Sequence, residues 1–145
     1  MLEIATLLPI ESGRFAGEHW IKWTLEEPIP DPNEFHMTYQ VNIRSVESDV
    51  YGFGWTIPKG EEPFASGFCL DDRPNCADGT IPVTVVVGPN LDELTFFVPE
   101  GTFGEATDLR IFGFIQTFPE NGDPITEDVG DGAPIPMGFD ERDPC

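Results

Sequence analysis

The stretch that decides the fold is Phe35-His36-Met37-Thr38-Tyr39-Gln40-Val41-Asn42-Ile43-Arg44, in which apolar and polar residues alternate without exception. In an extended chain, successive side chains point to opposite sides. A strict period of two therefore predicts a β-strand with one buried face and one exposed face. Such a strand needs a second layer to cover its apolar side.

The neighbouring segments have the same character. Segment 19–25 places Ile21, Trp23 and Leu25 on one face. Segment 50–57 places aromatic and aliphatic residues opposite Gly52 and Gly54. Glycines opposite large rings predict a bend in the strand or the close approach of another backbone.

Further strands are expected on both sides of a loop at residues 88–92. Segments 81–87 and 93–98 flank this loop and predict a hairpin, and 108–118 is the longest β segment. Turns rich in Gly, Pro, Asn and Asp separate about seven short strands, and no segment has an apolar stripe of helical spacing. The sequence predicts an all-β chain folded as an antiparallel β-sandwich of the immunoglobulin-like or jelly-roll kind.

The composition changes after Phe118. Residues 119–145 contain five prolines, four glycines and eight acids, with Arg142 as the one basic residue. We expect residues 1–118 to form the sandwich and residues 119–145 to form an extended acidic C-terminal arm. At about 3.3 Å per residue, such an arm spans tens of ångströms and reaches a neighbouring subunit. A solvated tail is the alternative.

The predicted hairpin also carries a resemblance to a known family. A strand of valine and threonine at 83–87, a turn, and a second strand ending in Val98-Pro99 lie within residues 79–101. This region resembles the paired strands of immunoglobulin-like modules in bacterial and viral surface proteins. The resemblance implies a structural or adhesive module, and it transfers no catalytic residues.

The charge of the chain limits its partners. Twenty-seven acids against seven lysines and arginines give a formal net charge of −20. A surface this negative repels phosphate backbones and anionic lipids, so we expect neither nucleic acid nor membrane as a partner. High salt, bound divalent cations or a basic partner would each offset the charge, and the sequence does not separate these three.

Three cysteines occur in the chain. Cys69 and Cys76 bracket a polar turn, a spacing that allows a local disulfide if the two arms are antiparallel, and Cys145 ends the chain. The alternative is that all three are unreactive thiols.

Calcium is the one cofactor that the composition suggests. Asp71, Asp72 and Asp78 supply hard oxygen ligands in the same polar loop, although they do not match the EF-hand pattern. Solvated loop carboxylates are the alternative interpretation.

The sequence contains no pattern that indicates catalysis. None of its serines lies in a Gly-x-Ser-x-Gly turn, and neither His19 nor His36 stands beside a nucleophile in a known signature. We therefore expect no enzyme activity. Trp20 lies out of phase with Ile21 and Trp23, so it is the one tryptophan expected at the surface.

These observations favour a non-enzymatic structural protein that works by protein–protein interaction in an oligomeric assembly. A virion component is expected, such as a phage capsid decoration protein or another head or tail protein. The N-terminal segment 1–10 carries Glu3 and no basic flank, so we do not expect it to act as a signal peptide. Apolar excess marks the expected subunit contacts, which are Leu7, Leu8, Ile10, Phe112, Phe114, Phe118, Ile135 and Met137.

The alternative is a secreted or cell-surface β-sandwich that binds carbohydrate or protein and is stiffened by calcium. A disulfide between Cys69 and Cys76 would favour this alternative, because disulfides persist in oxidising compartments.

Overall fold

The chain folds into β-strands in its computed structural model, which describes residues 10–25, 29, 36–44, 49–69, 81–103, 109–118, 125–129 and 135–144. The strands are β1 (Ile10–Phe15), β2 (Glu18–Thr24), β3 (His36–Arg44), β4 (Asp49–Ile57), β5 (Phe64–Cys69), β6 (Thr84–Val87), β7 (Glu93–Pro99), β8 (Arg110–Phe118), β9 (Ile125–Val129) and β10 (Ile135–Pro136). Within these ranges, no helix has the length and apolarity needed to cross a bilayer.

The strands form two antiparallel sheets that pack face to face. The small sheet has four strands in the order β1-β2-β7-β6. The large sheet has six, in the order β10-β8-β3-β4-β5, with β9 paired to β8. The prediction of an all-β antiparallel sandwich is confirmed.

The core lies between the two sheets and contains the apolar faces predicted from the alternation. Tyr39, Val41 and Ile43 of β3 are buried, whereas the residues between them are half-buried. Across the layer, the ring centroid of Trp23 in β2 lies 5.8 Å from that of Tyr39, in an edge-to-face arrangement. Aromatic pairs of this kind add about 0.5–1.5 kcal/mol to the stabilisation that burial alone gives.

Strand β1 was not predicted, because its sequence has only two large apolar residues, Ile10 and Phe15. It is nevertheless paired to β2 from Ile10 opposite Trp23 to Phe15 opposite Glu18. Pairing with an apolar neighbour, and not its own pattern, holds β1 in the small sheet.

The C-terminal segment belongs to the sandwich. Strands β9 and β10 both pair with β8, and the Met137 backbone N–H then donates to the Leu109 carbonyl at 2.8 Å. Described parts of 119–145 therefore extend the large sheet of the same chain, and the division of the chain at residue 118 stays a prediction.

Residues 137–142, here called the C-terminal strap, continue along β1. The Arg14 N–H donates to the Asp140 carbonyl at 3.0 Å, and the Arg142 N–H donates to the Arg14 carbonyl at 2.8 Å. The Gly138 N–H donates to Ser12 Oγ at 2.6 Å. The strap supplies hydrogen-bond partners to an edge strand whose backbone groups would otherwise be open to pairing with another chain.

The expected exposure of Trp20 is wrong. Its side chain does point away from the core, but only 1% of it is exposed. The strap covers it, because the Trp20 Nε1 donates to the Arg142 carbonyl at 2.8 Å.

Candidate functional site

The side of the large sheet that faces away from the core is the candidate site, here called the outer face. The burial alternation of each strand and the pairing register together define its described members. They are Thr38, Gln40, Asn42 and Arg44 of β3, Gly52, Gly54 and Thr56 of β4, Phe64, Ser66 and Phe68 of β5, and Arg110, Phe112, Phe114, Gln116 and Phe118 of β8.

The outer face differs sharply in charge from the rest of the chain. Acids make up 27 of the 145 residues, yet none of the described side chains of the outer face is a carboxylate. Two of the seven basic residues, Arg44 and Arg110, lie on it. The structure does not describe the side chains of β9 or of Asp49. Asp49 pairs with Arg44 through its backbone. The outer face of the small sheet, in contrast, carries Glu11 and Glu18.

The centre of the outer face is polar and uncharged. Gln40 Nε2 donates to Asn42 Oδ1 at 2.9 Å, and the hydroxyls of Thr38 and Thr56 lie 3.3 Å apart. A primary amide has two donor hydrogens and an acceptor oxygen with two lone pairs. The amide pair therefore has the chemistry to hydrogen-bond a docked surface in addition to its internal bond.

Next to the amides, β4 has no side chain above its backbone at Gly52 and Gly54. A Cβ placed on Gly52 would lie 2.3 Å from Phe68 Cζ, so the Phe68 ring lies directly over the glycine. A Cβ on Gly54 would meet Ser66 Oγ at 3.4 Å, an ordinary contact. The sequence predicted a bend or a close backbone at these glycines, but an aromatic ring fills the space at Gly52.

Phenylalanines flank the polar centre on both sides. Phe112, Phe114 and Phe118 of β8 are half-buried, and Phe64 at the start of β5 is 49% exposed. The guanidinium carbon of Arg44 lies 4.5 Å from the ring centroid of Phe112, within the range of a cation–π contact. The described part of the outer face thus combines apolar flanks with an uncharged amide centre.

Three of the expected subunit contacts, Phe112, Phe114 and Phe118, lie together on this face. Two other expected contacts, Ile10 and Met137, are 6% and 5% exposed and pack into the core of their own chain.

The remaining three expected contacts lie outside the description. Leu7 and Leu8 precede the first described residue, and the side chain of Ile135 is not described.

Sequence reasoning missed the amide centre of the outer face. The available signal was the polar phase of residues 36–44, which holds His36, Thr38, Gln40, Asn42 and Arg44 and no acid. Its significance depends on the neighbouring strands, because only the register shows that Gln40 lies between Gly54 and Phe114.

A second cluster surrounds His19, which is 5% exposed. Its ring centroid lies 5.0 Å from that of Phe103 and 5.8 Å from that of Phe139, both edge-to-face. Its Nδ1 is buried without a hydrogen-bond partner among the described residues. Burial, and then the nearby Arg14 guanidinium, lower the pKa of His19, while Glu100 acts in the opposite direction. The cluster packs a histidine with a lowered pKa against Phe139 of the strap.

Cys69 is disulfide-bonded. Cys76 and Cys145 lie outside the described residues, so the predicted pairing of Cys69 with Cys76 stays a prediction.

The expected calcium ligands Asp71, Asp72 and Asp78 also lie outside the described residues. Within the part of the chain that the structure describes, no group of three or more His, Cys, Asp or Glu side chains could hold a metal ion.

Comparison with known proteins adds one finding to this geometry. No protein-family model matches the chain, and no curated protein is similar to it at a significant level.

Proposed function

We propose that the protein is a non-enzymatic assembly subunit and that the outer face of the large sheet is its contact surface. The observation that carries this proposal is the absence of carboxylates among the described side chains of that face, in a chain with a net charge of −20.

The charge of the chain explains why such a face matters for assembly. Two copies with this net charge repel each other, and the repulsion acts within a Debye length of about 8 Å at physiological salt. Contact is least unfavourable where acids are missing and apolar area is present. The described side chains of the outer face, which are amides, hydroxyls, two arginines and phenylalanines, meet both conditions.

The assembly we propose is a virion, in which this chain is a capsid decoration protein or another head or tail component with an immunoglobulin-like or jelly-roll sandwich. The strap supports this assignment, because it pairs with the backbone of Arg14 in the edge strand β1. That part of the edge is not open to strand pairing with another chain, which favours contact through a sheet face.

Sedimentation velocity of two matched variants tests the proposal. Gln40→Glu adds one negative charge at the centre of the outer face with almost no change of shape, and Thr24→Glu adds one on the exposed small sheet. We expect the wild type and Thr24→Glu to sediment as oligomers at micromolar concentration and Gln40→Glu to sediment as a monomer. A monomeric wild type, or equal behaviour of the two variants, would overturn the proposal.

A second candidate is a secreted or cell-surface binding module, which the disulfide at Cys69 favours. In this function the same phenylalanines and amides would bind a neutral carbohydrate, the rings stacking on the sugar and the amides bonding its hydroxyls. Calorimetric titration with neutral oligosaccharides tests it. A wild-type chain that stays monomeric and binds a glycan, with binding lost in Gln40→Glu, would support this function over assembly.

A further inference from the structure

We infer that the C-terminal strap is an acid-operated cover of the β1 edge, in which protonation of His19 releases the strap from Phe139 onward. The strap connects the large sheet to β1, and the side chain of Phe139 packs against His19. This inference does not involve the outer face, so it is tested separately from the proposed function.

The strap is held in the core at its start and by fewer apolar contacts beyond it. Met137 is buried in the core. The charged residues 140–142 are exposed, and the ion pair of Arg142 with Glu11, at 3.6 Å, joins two side chains that are more than half exposed. Exposed ion pairs of this kind add little stability. After Met137, Phe139 is therefore the strap residue whose side chain packs against the core.

Two phenylalanine rings cover His19, and they differ in how firmly they are held. Phe103 is 3% exposed and also packs edge-to-face against Tyr51 and Phe53 of β4, so it is fixed in the core. Phe139 is half-buried and lies on the strap. Movement of the strap is therefore the route to water for His19 that disturbs the core least.

Protonation of His19 is unfavourable while the strap is closed. The ring is 5% exposed, and its Nδ1 is buried without a hydrogen-bond partner among the described residues. A protonated imidazole carries an N–H on both ring nitrogens. Acid would thus place a positive charge and an unpaired donor against two phenylalanine rings, and a buried charge without a partner destabilises the state that contains it.

The charged groups described around His19 do not remove this cost. On β1, Arg14 lies opposite His19 in the register, and its guanidinium opposes protonation. Glu100 favours protonation, but its carboxylate already pairs with Arg14 Nη1 at 2.8 Å. On β7 the register partner of His19 is the uncharged Val98, and the acids 140–141 of the strap are exposed.

The direction of the pH effect follows from these contacts. Burial lowers the pKa of His19 below 6.5 when the strap is closed, whereas contact with water in the open state returns it towards 6.5. Each pH unit below 6.5 therefore raises the open population by up to about tenfold, until the closed-state pKa is reached. In the open state the N–H and carbonyl of Arg14 lose Asp140 and Arg142 as partners, so acid uncovers this part of the β1 edge.

Hydrogen exchange measured by NMR tests the release. The amides of Arg14 and Arg142 report on the strap, because each donates between the strap and β1. The amide of Val41 reports on global unfolding, because β3 is paired on both sides. We expect the two strap amides to be less protected than Val41, and their protection to fall by up to about tenfold from pH 7.5 to 5.5. Strap amides as protected as Val41 would show that the strap opens only with the whole chain, which would overturn the inference.

Variants identify the sensor. His19→Phe keeps a ring and removes the titration, so the protection of the strap amides should no longer depend on pH, whereas His36→Gln should follow the wild type. If His19→Phe does not fold, Phe139→Ala tests the same contact. It should lower the protection already at pH 7.5 and flatten its pH dependence, because His19 is then partly uncovered. The inference is wrong if protection in the wild type is independent of pH, or if the folded variants at positions 19 and 139 keep the full wild-type dependence.

Discussion

The guanidinium carbon of Arg142 lies 5.4 Å from the ring centroid of Trp20, 122 positions away in the chain. The Trp20 indole also donates a 2.8 Å hydrogen bond to the Arg142 carbonyl. A Cβ on Gly13 would lie 2.6 Å from Arg142 Cγ, so glycine at this position leaves room for the arginine stem. Through this contact the C-terminal strap covers Trp20 on the outer side of the small sheet.

Replacement of Arg142 by alanine should open this contact. The arginine stem and the cation–π contact together stabilise the fold by about 1 kcal/mol, so the urea midpoint should fall accordingly. Acrylamide quenching of tryptophan fluorescence should increase, because Trp20 becomes accessible. Arg142→Lys keeps the charge and most of the stem and should behave almost like the wild type. Unchanged quenching in Arg142→Ala would show that the strap does not cover Trp20.

Two glycines of β4 should respond differently to alanine. Gly52→Ala forces the Phe68 ring to move, because the new Cβ would lie 2.3 Å from Phe68 Cζ. Overpacking of this kind costs about 1–3 kcal/mol. Gly54→Ala makes only ordinary contacts, so its free energy of unfolding should stay within about 0.5 kcal/mol of the wild type.

Chemical denaturation measures both alanine variants, and Phe68→Ala in the Gly52→Ala background gives the coupling between the two sites. Removal of the ring should relieve most of the cost of the new Cβ. Equal effects of the two alanines would contradict the packing described for Phe68.

The stability of the protein should depend on His19 at mildly acidic pH. Burial and Arg14 hold the pKa of His19 below its usual value of 6.5. As pH falls below about 6.5, the unfolded chain therefore takes up a proton at this position before the folded chain does, and stability declines until the lower folded pKa is reached. Well above pH 6.5 the residue is neutral in both states and adds no pH dependence.

Thermal melting between pH 7.5 and 5.5 checks this effect. His19→Phe should lose less stability than the wild type over this range, whereas replacement of the only other histidine, His36→Gln, should follow the wild type. Parallel curves for the wild type and His19→Phe would show that His19 does not carry the effect.

The disulfide at Cys69 gives a further prediction. Peptide mapping under non-reducing conditions should recover Cys69 joined to Cys76, the pairing expected from their spacing. Closing so short a loop should stabilise the fold by about 2.5 kcal/mol, which Cys69→Ser or a reductant would remove. Recovery of Cys69 joined to Cys145 would refute the local pairing.

Local patterns sufficed to predict strands β3, β4 and β8 of the large sheet. The alternation around Tyr39, Val41 and Ile43 assigns each side chain of β3 to one face of the sheet. The same rule places Phe112 and Phe114 on the face of β8 that is opposite to the face of Ile111. For these residues, the burial of each side chain follows from the alternation of apolar and polar residues within a few positions in the sequence.

The strap and the amide centre of the outer face could not be predicted in the same way, because both depend on residues far apart in the chain. Trp20 is buried by Arg142, and β1 is held by hydrogen bonds to Asp140 and Gly138. The amide centre is defined only when Gln40 is placed between Gly54 and Phe114 by the pairing of three strands.

Hydroxyl-radical footprinting tests most directly whether the outer face is the surface through which this protein assembles. The oxidation of Phe112, Phe114 and Phe118 is compared between the assembled wild type and the Gln40→Glu variant, with the exposed Phe15 of the small sheet as the internal reference. The proposed function predicts strong protection of the three rings in the assembled state and no change at Phe15. Unchanged oxidation of these rings in an assembled sample, or protection at Phe15 instead, would contradict it.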